Sequence, residues 1–171
     1  MAEPACLVAP RLPDYGRPSF PEGGLVRTVR TDFFYPVAPE RLWRLATSYD
    51  ALGRVMAGLV EFDGLPEGRT RTGQEIHVQV SLFGRLPAQP YTMEVLECDD
   101  SRMILRSSER GAGVRSWNHR MKVDPAPGGS RLSDTIEIDA GLMTWAFALW
   151  ARYLYTARHT PRLRLLEDGA Y

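Results

Sequence analysis

The chain has 171 residues, 44% of them hydrophobic, and 21 basic residues balance 21 acidic ones. These values predict one globular domain with a sizeable core, and the zero net charge gives no electrostatic reason to expect nucleic acid or an anionic membrane as a partner. The two cysteines, Cys6 and Cys98, lie far apart, which argues against a disulfide framework and favours a reducing cytoplasm.

The first 23 residues differ in composition from the rest of the chain, since they contain five prolines. We expect residues 1–23 to be a Pro-rich, flexible leader and residues 24–168 to form the folded domain. The initial segment MAEPACLVAP lacks the basic start and the long apolar stretch of a secretory signal.

A strand followed by two short helices begins the folded region. The pattern LVRTVRTDFFYP is β-like and ends at Pro36, which cannot continue a ladder. Pro39 suits the first turn of a helix. Ser48 is a good N-cap for a second helix over about 49–57, which Gly58 closes.

Alternating apolar and polar residues then predict about six more strands joined by short turns. In three of these strands the residues sharing the face predicted to turn inward are Ile76, Val78, Val80 and Leu82; Trp117, His119, Met121 and Val123; and Leu132, Asp134, Ile136 and Ile138. Short connections favour an antiparallel meander with one buried face.

Residues 142–166 predict a long C-terminal helix with an apolar arc about 200° wide. The arc contains Leu142, Trp145, Ala146, Phe147, Leu149, Trp150, Tyr153, Leu154 and Ala157. The wetter side contains Thr144, Arg152, Tyr155, Arg158 and His159. So broad an arc indicates a helix held by a concave partner, where the rings either fill a core or line a cavity.

Charged residues and a proline modify this helix. Arg152 and Arg158 interrupt the apolar run, so we expect no membrane span. Pro161 removes a backbone donor and should kink or restart the helix. We expect the arginines at 152, 158, 162 and 164 mainly to complement the negative end of the helix dipole.

The order of these elements over residues 25–166 resembles the helix-grip fold of the START-like, or SRPBCC, superfamily. The resemblance lies in FFYPVAPERLWRLATSYDAL, GQEIHVQVSLFG, SWNHRM and SDTIEIDAG. A strand followed by Ala-Pro-Glu-x-x-Trp, and Trp117-x-His119 followed by Asp134, are similar to its polyketide cyclase/dehydrase-like bacterial branch. The resemblance implies an α+β fold: a curved antiparallel sheet of about seven strands wrapped around a long C-terminal helix, with two short helices after the first strand.

His119 and Asp134 are the main candidate site residues, because strand phase turns both inward on adjacent strands. A buried pair that only fixes register is favoured, while anchoring of a ligand and general-base catalysis remain open. An inward Arg106 would indicate an anionic or carbonyl-bearing ligand, but an outward orientation is favoured, as is solvent exposure of His77. The chain shows no metal-ligand spacing, GxSxG, GxGxxG or Walker A motif, so we expect no metal and no cofactor.

The resemblance implies a cavity for a small hydrophobic or amphipathic molecule, but it selects no reaction, since one fold hosts many functions. Our main hypothesis is non-covalent ligand binding, with His119 and Asp134 at the polar end. The predicted wall is Trp117, Met121, Trp145, Leu149 and Tyr153. The alternatives are a polyketide cyclase/aromatase-like enzyme using the same cavity, and a ligand-free structural or regulatory interaction domain. We expect a monomer or homodimer.

Overall fold

Seven strands and four α-helices follow one another in the order that the sequence predicts: one strand, two short helices, six strands and the C-terminal helices. The computed structural model describes residues 25–169 and residue 171. The elements are β1 Arg27–Tyr35, α1 Pro39–Ala46, α2 Tyr49–Met56, β2 Val60–Asp63, β3 Glu75–Leu82, β4 Gln89–Asp99, β5 Ile104–Gly111, β6 Val114–Ala126, β7 Gly129–Asp139, α3 Thr144–Ala157 and α4 His159–Glu167. The predicted leader, residues 1–23, lies outside the described residues.

The strands form one antiparallel sheet in the order β1-β7-β6-β5-β4-β3-β2. The register between β4 and β5 shifts between Val95 and Glu97. An irregularity of this kind bends a strand and increases its twist, which helps a sheet to curve. The α+β helix-grip architecture is therefore confirmed.

The helices α1 and α2 begin where local chemistry predicts. Pro39 occupies the first turn of α1. The Ser48 hydroxyl accepts a hydrogen bond from the Ala51 amide at 3.2 Å, which caps α2. Leu42 and Trp43 are buried, and α1 packs against β6, β7 and α4.

The buried residues form two clusters that differ in what they enclose. One joins α1 and α4 to the sheet and contains Tyr35, Leu42, Leu132 and Leu165 among others. The other lies under α3 and surrounds a cavity. The second cluster therefore supplies most of the cavity wall, while the first packs mainly around α4.

The C-terminal helix bends between α3 and α4, around Arg158. Pro161 has no N–H to donate to the carbonyl of Ala157, four residues earlier, so the regular ladder breaks there. This confirms the predicted kink or restart. Within the described ranges, we find no helix with both the length and the apolar character needed to cross a bilayer.

The orientation of α3 corrects the sequence prediction. Leu142 and Trp145, from the apolar arc, are 96% and 63% exposed, and Leu149 and Tyr153 are also mostly exposed. The fully buried Ala151 lies on the inward side, and we infer that a residue this small lets α3 approach the sheet closely.

Polar residues that were predicted to face water instead lie on this inward side. Thr144 is buried because its hydroxyl donates to the Gly141 carbonyl at 2.7 Å and accepts from the Ala140 amide at 2.8 Å. Tyr155 and Arg158 are buried as well. Both residues line a cavity rather than a packed apolar surface, so this side of the helix need not be wholly apolar.

Candidate functional site

A cavity of about 190 Å³ lies between the curved sheet and α3. Most of its wall is apolar, and representative residues are Met56, Ile76, Val80, Val95, Phe147 and Leu154. Removing apolar ligand surface from water at such a wall contributes about 25 cal/mol per Å². The chamber is therefore suited to hold an apolar molecular body.

The predicted wall residues divide into two groups. Trp117 and Met121, on β6, line the cavity as expected. Trp145, Leu149 and Tyr153 are exposed on the opposite side of α3 and do not line this cavity. Their places are taken by Phe147, Trp150 and Leu154 from the same helix.

The two candidate polar residues, His119 and Asp134, are joined by a hydrogen bond. His119 Nε2 lies 2.7 Å from Asp134 Oδ1. The bond is diagonal across the β6–β7 pair, because His119 is in register with Ile136 and Asp134 with Met121. His119 lines the cavity and is 9% exposed, whereas Asp134 is fully buried behind it.

The environment of Asp134 keeps its carboxyl group ionised. Burial acts to raise its pKa, but the hydrogen bond from His119 and the nearby guanidinium groups of Arg162 and Arg158 outweigh burial and lower the pKa below its ordinary value. Since an ionised carboxylate only accepts hydrogen bonds, His119 Nε2 carries the proton and donates it. The other ring nitrogen, Nδ1, hydrogen-bonds none of the described residues.

Tyr155 is the central aromatic ring of the site. Its ring packs edge-to-face with the His119 ring at a centroid distance of 5.1 Å, and it stacks on Trp117 at 6.4 Å. The guanidinium carbon of Arg158 lies 4.2 Å from the ring centroid, which is a cation–π contact. Burial raises the pKa of the Tyr155 phenol well above its usual range, so the group stays neutral.

Two buried arginines of the site, Arg158 and Arg162, were not assigned to it from the sequence. Both line the cavity, and Arg162 Nη1 lies 3.8 Å from Asp134 Oδ2. With Ala151 and Tyr155 they are spaced four, three and four residues apart, so all four lie along one helical face. That spacing, starting from a small residue, was the signal that could have identified them.

A second polar group on the cavity wall, formed by Tyr91 on β4 and by Ser107 and Glu109 on β5, was also not identified from the sequence. The Tyr91 hydroxyl donates to Glu109 Oε2 at 2.8 Å, and the Ser107 hydroxyl donates to Oε1 at 2.7 Å. Burial and the charge of Glu109 raise the pKa of Tyr91 well above its ordinary value. Ser107 and Glu109 lie on the face of β5 opposite to the outward Arg106. The alternation of side chains along the strand was therefore the sequence signal that could have placed them at the cavity.

The remaining candidates point away from the cavity. Arg106 is exposed near Glu97, and His77 is exposed on β3, both as favoured from the sequence. Among residues 25–169 and 171, no group of three or more His, Cys, Asp or Glu side chains is placed to hold a metal ion.

Comparison with known protein families identifies the family of this chain. Residues 27–168 match the family described as "Polyketide cyclase / dehydrase and lipid transport". The chain belongs to this family. A search of curated proteins finds no significant sequence match.

Solved structures share the fold of this polyketide cyclase/lipid transport family member at low identity. Protein CV1439 from Chromobacterium violaceum is 18% identical with a TM-score of 0.66, over 82% of this chain and 96% of that one. Norcoclaurine synthase from Thalictrum flavum is 12% identical with a TM-score of 0.63, over 85% and 88%. The protein TTHA0849 from Thermus thermophilus is 16% identical with a TM-score of 0.64, over 85% and 100%. These likenesses confirm the helix-grip fold.

Proposed function

We propose that the protein binds a small hydrophobic molecule non-covalently in the cavity between the sheet and α3. The observation that carries this proposal is the mostly apolar chamber of about 190 Å³, which the side chains of the described residues leave unfilled. A cavity of about 150 Å³ in another protein accepts benzene, so this space suits a molecule of one or two fused rings. Norcoclaurine synthase, which shares the fold, was solved with dopamine and hydroxybenzaldehyde.

Filling part of the cavity is expected to weaken binding without unfolding the protein. Ile76 lines the cavity from β3, so Ile76→Phe places a ring in the space that the ligand needs. With naphthalene-2-carboxamide as the neutral probe, we expect affinity to fall at least about tenfold. The added ring keeps part of the probe's apolar surface in water, and the loss of that burial costs about 1.4 kcal/mol or more of binding free energy. Isothermal titration calorimetry measures the change.

The control for this experiment is Leu142→Phe, which adds a similar ring at a residue that is 96% exposed. It should leave affinity for the probe unchanged, and thermal unfolding checks that both variants remain folded. Equal affinity of the Ile76→Phe variant and the unmodified protein would contradict binding in this cavity, as would no measurable binding by either.

A second candidate function, a polyketide cyclase/aromatase-like activity, is favoured by the His119–Asp134 pair. Asp134 Oδ1 lies 2.7 Å from His119 Nε2, so Nδ1 is the ring nitrogen of His119 that Asp134 leaves unengaged, and His119 lines the cavity. That arrangement suits general-base removal of an acidic C–H proton between two carbonyl groups.

If the protein is a cyclase, His119→Gln should lower turnover of a poly-β-keto thioester by about 10²-fold or more. Binding of naphthalene-2-carboxamide should change far less, because the neutral probe needs no proton transfer. His77→Gln, an exposed histidine on β3, is the matched control. Cyclised product followed by mass spectrometry reports the rate, and equal rates with the unmodified protein and the His119→Gln variant would exclude this role.

A further inference from the structure

Arg158 is a buried cation in the cavity wall that forms no direct ion pair with a carboxylate of the described residues. It is 8% exposed and lines the cavity. Its Nε donates to the Met56 Sδ at 3.0 Å, and its guanidinium lies over the Tyr155 ring. Neither partner is an anion, and Arg158 takes no part in the ion pairs of the described residues around the cavity, which join Asp134 to His119 and Arg162.

The two carboxylates near the cavity have direct partners other than Arg158. Asp134 accepts from His119 and lies beside Arg162. Glu109 accepts one hydrogen bond at each oxygen, from Tyr91 and Ser107. Burying a charge is costly unless it is paired and hydrogen-bonded, so a guanidinium that contacts no carboxylate directly and lines a cavity is suited to receive an anionic ligand.

We propose that Arg158 recognises the carboxylate of an anionic ligand whose apolar body occupies the cavity. This inference rests on the proposed binding function and adds the chemical class of the ligand, a small aryl or alkyl carboxylate. A guanidinium matches a carboxylate with two parallel N–H donors, and the contact with Tyr155 holds its plane in place. The apolar wall, including Phe147 and Leu154, then covers the body of the molecule.

A matched pair of probes tests the charge alone. Naphthalene-2-carboxylate and naphthalene-2-carboxamide have nearly the same shape and differ in the negative charge. We expect the unmodified protein to bind the carboxylate at least about tenfold more tightly, since a hydrogen bond to a charged group contributes more than a neutral one. Titration calorimetry at neutral pH gives both affinities.

Substitutions of Arg158 then test whether this side chain causes the preference for the carboxylate over the carboxamide. Arg158→Met removes the charge but keeps an unbranched side chain, so the carboxylate should bind no more tightly than the amide. Arg158→Lys keeps the charge without the two-donor fork and should retain part of the preference. Arg152→Met, on the exposed side of the same helix, should retain all of it.

Equal affinities for the two probes in the unmodified protein, or a preference that survives in Arg158→Met, would overturn this inference. Failure of the proposed binding function gives a different result, because the neutral amide would then not bind or would be insensitive to Ile76→Phe. If Arg158→Met does not fold, Arg158→Lys and the two probes on the unmodified protein still decide the matter.

Discussion

Asp134→Ala is expected to destabilise the fold by about 3–5 kcal/mol, the cost of breaking a buried ion pair by removing one partner. Asp134 is fully buried and its carboxylate faces His119 at 2.7 Å and Arg162 at 3.8 Å. Removing it leaves the buried Arg162 guanidinium without its counter-charge and the His119 Nε2–H without an acceptor. Urea unfolding measures the change in the free energy of unfolding.

Asp32→Ala is the matched control, since Asp32 pairs with Arg131 at 3.1 Å on the solvent-facing side of the sheet. Both partners are about half exposed, so its loss should cost about 1 kcal/mol or less. Adding Arg162→Met to Asp134→Ala should recover part of the loss, because no buried cation is then left unpaired. If the two aspartate variants are equally stable, Asp134 is not the counter-charge that holds this cluster.

The fold was predictable because its signals are local. Strand parity turned Asp134, Ile136 and Ile138 inward together, and all three are fully buried. The Ser48 cap and the break before Pro161 follow from backbone donors that one residue supplies or lacks. Each of these features depends only on residues within a few positions along the chain, so the sequence alone is enough to predict it.

The inner face of α3 was not predictable in the same way. Assigning apolar residues to the inside placed Trp145 and Leu149 at the cavity and Arg158 in water, and the structure reverses both. Arg158 is stabilised in the interior partly by Met56, which is 102 positions away in the chain. Arg162 depends on Asp134 from another element. Pairings between distant segments decide which polar groups can be buried, and periodicity carries no information about them.

Gly111→Ala is the second substitution expected to have a large effect, because it changes the β5–β6 hairpin that helps to line the cavity. Gly111 has φ of +112°, and a Cβ there would lie 2.3 Å from the Pro90 carbonyl oxygen and 3.1 Å from the Tyr91 Cα. Both obstacles are backbone atoms of the paired strand β4, so no side-chain rotation relieves them. We expect a loss of about 3 kcal/mol or more in the free energy of unfolding.

Gly128→Ala is the matched control, because it separates the cost of the steric clash at Gly111 from the cost of a left-handed backbone conformation. Gly128, in the β6–β7 turn, has φ of +78° but no atom within 4 Å of an added Cβ, so only the left-handed conformation is penalised, at about 1–2 kcal/mol. Equal losses in the two variants would show that strand β4 can move away from Gly111. A larger loss at Gly111 means that β4 is held in place, and with it Tyr91, whose hydroxyl engages Glu109. The Tyr91–Glu109 group of the cavity wall would then be fixed by backbone packing.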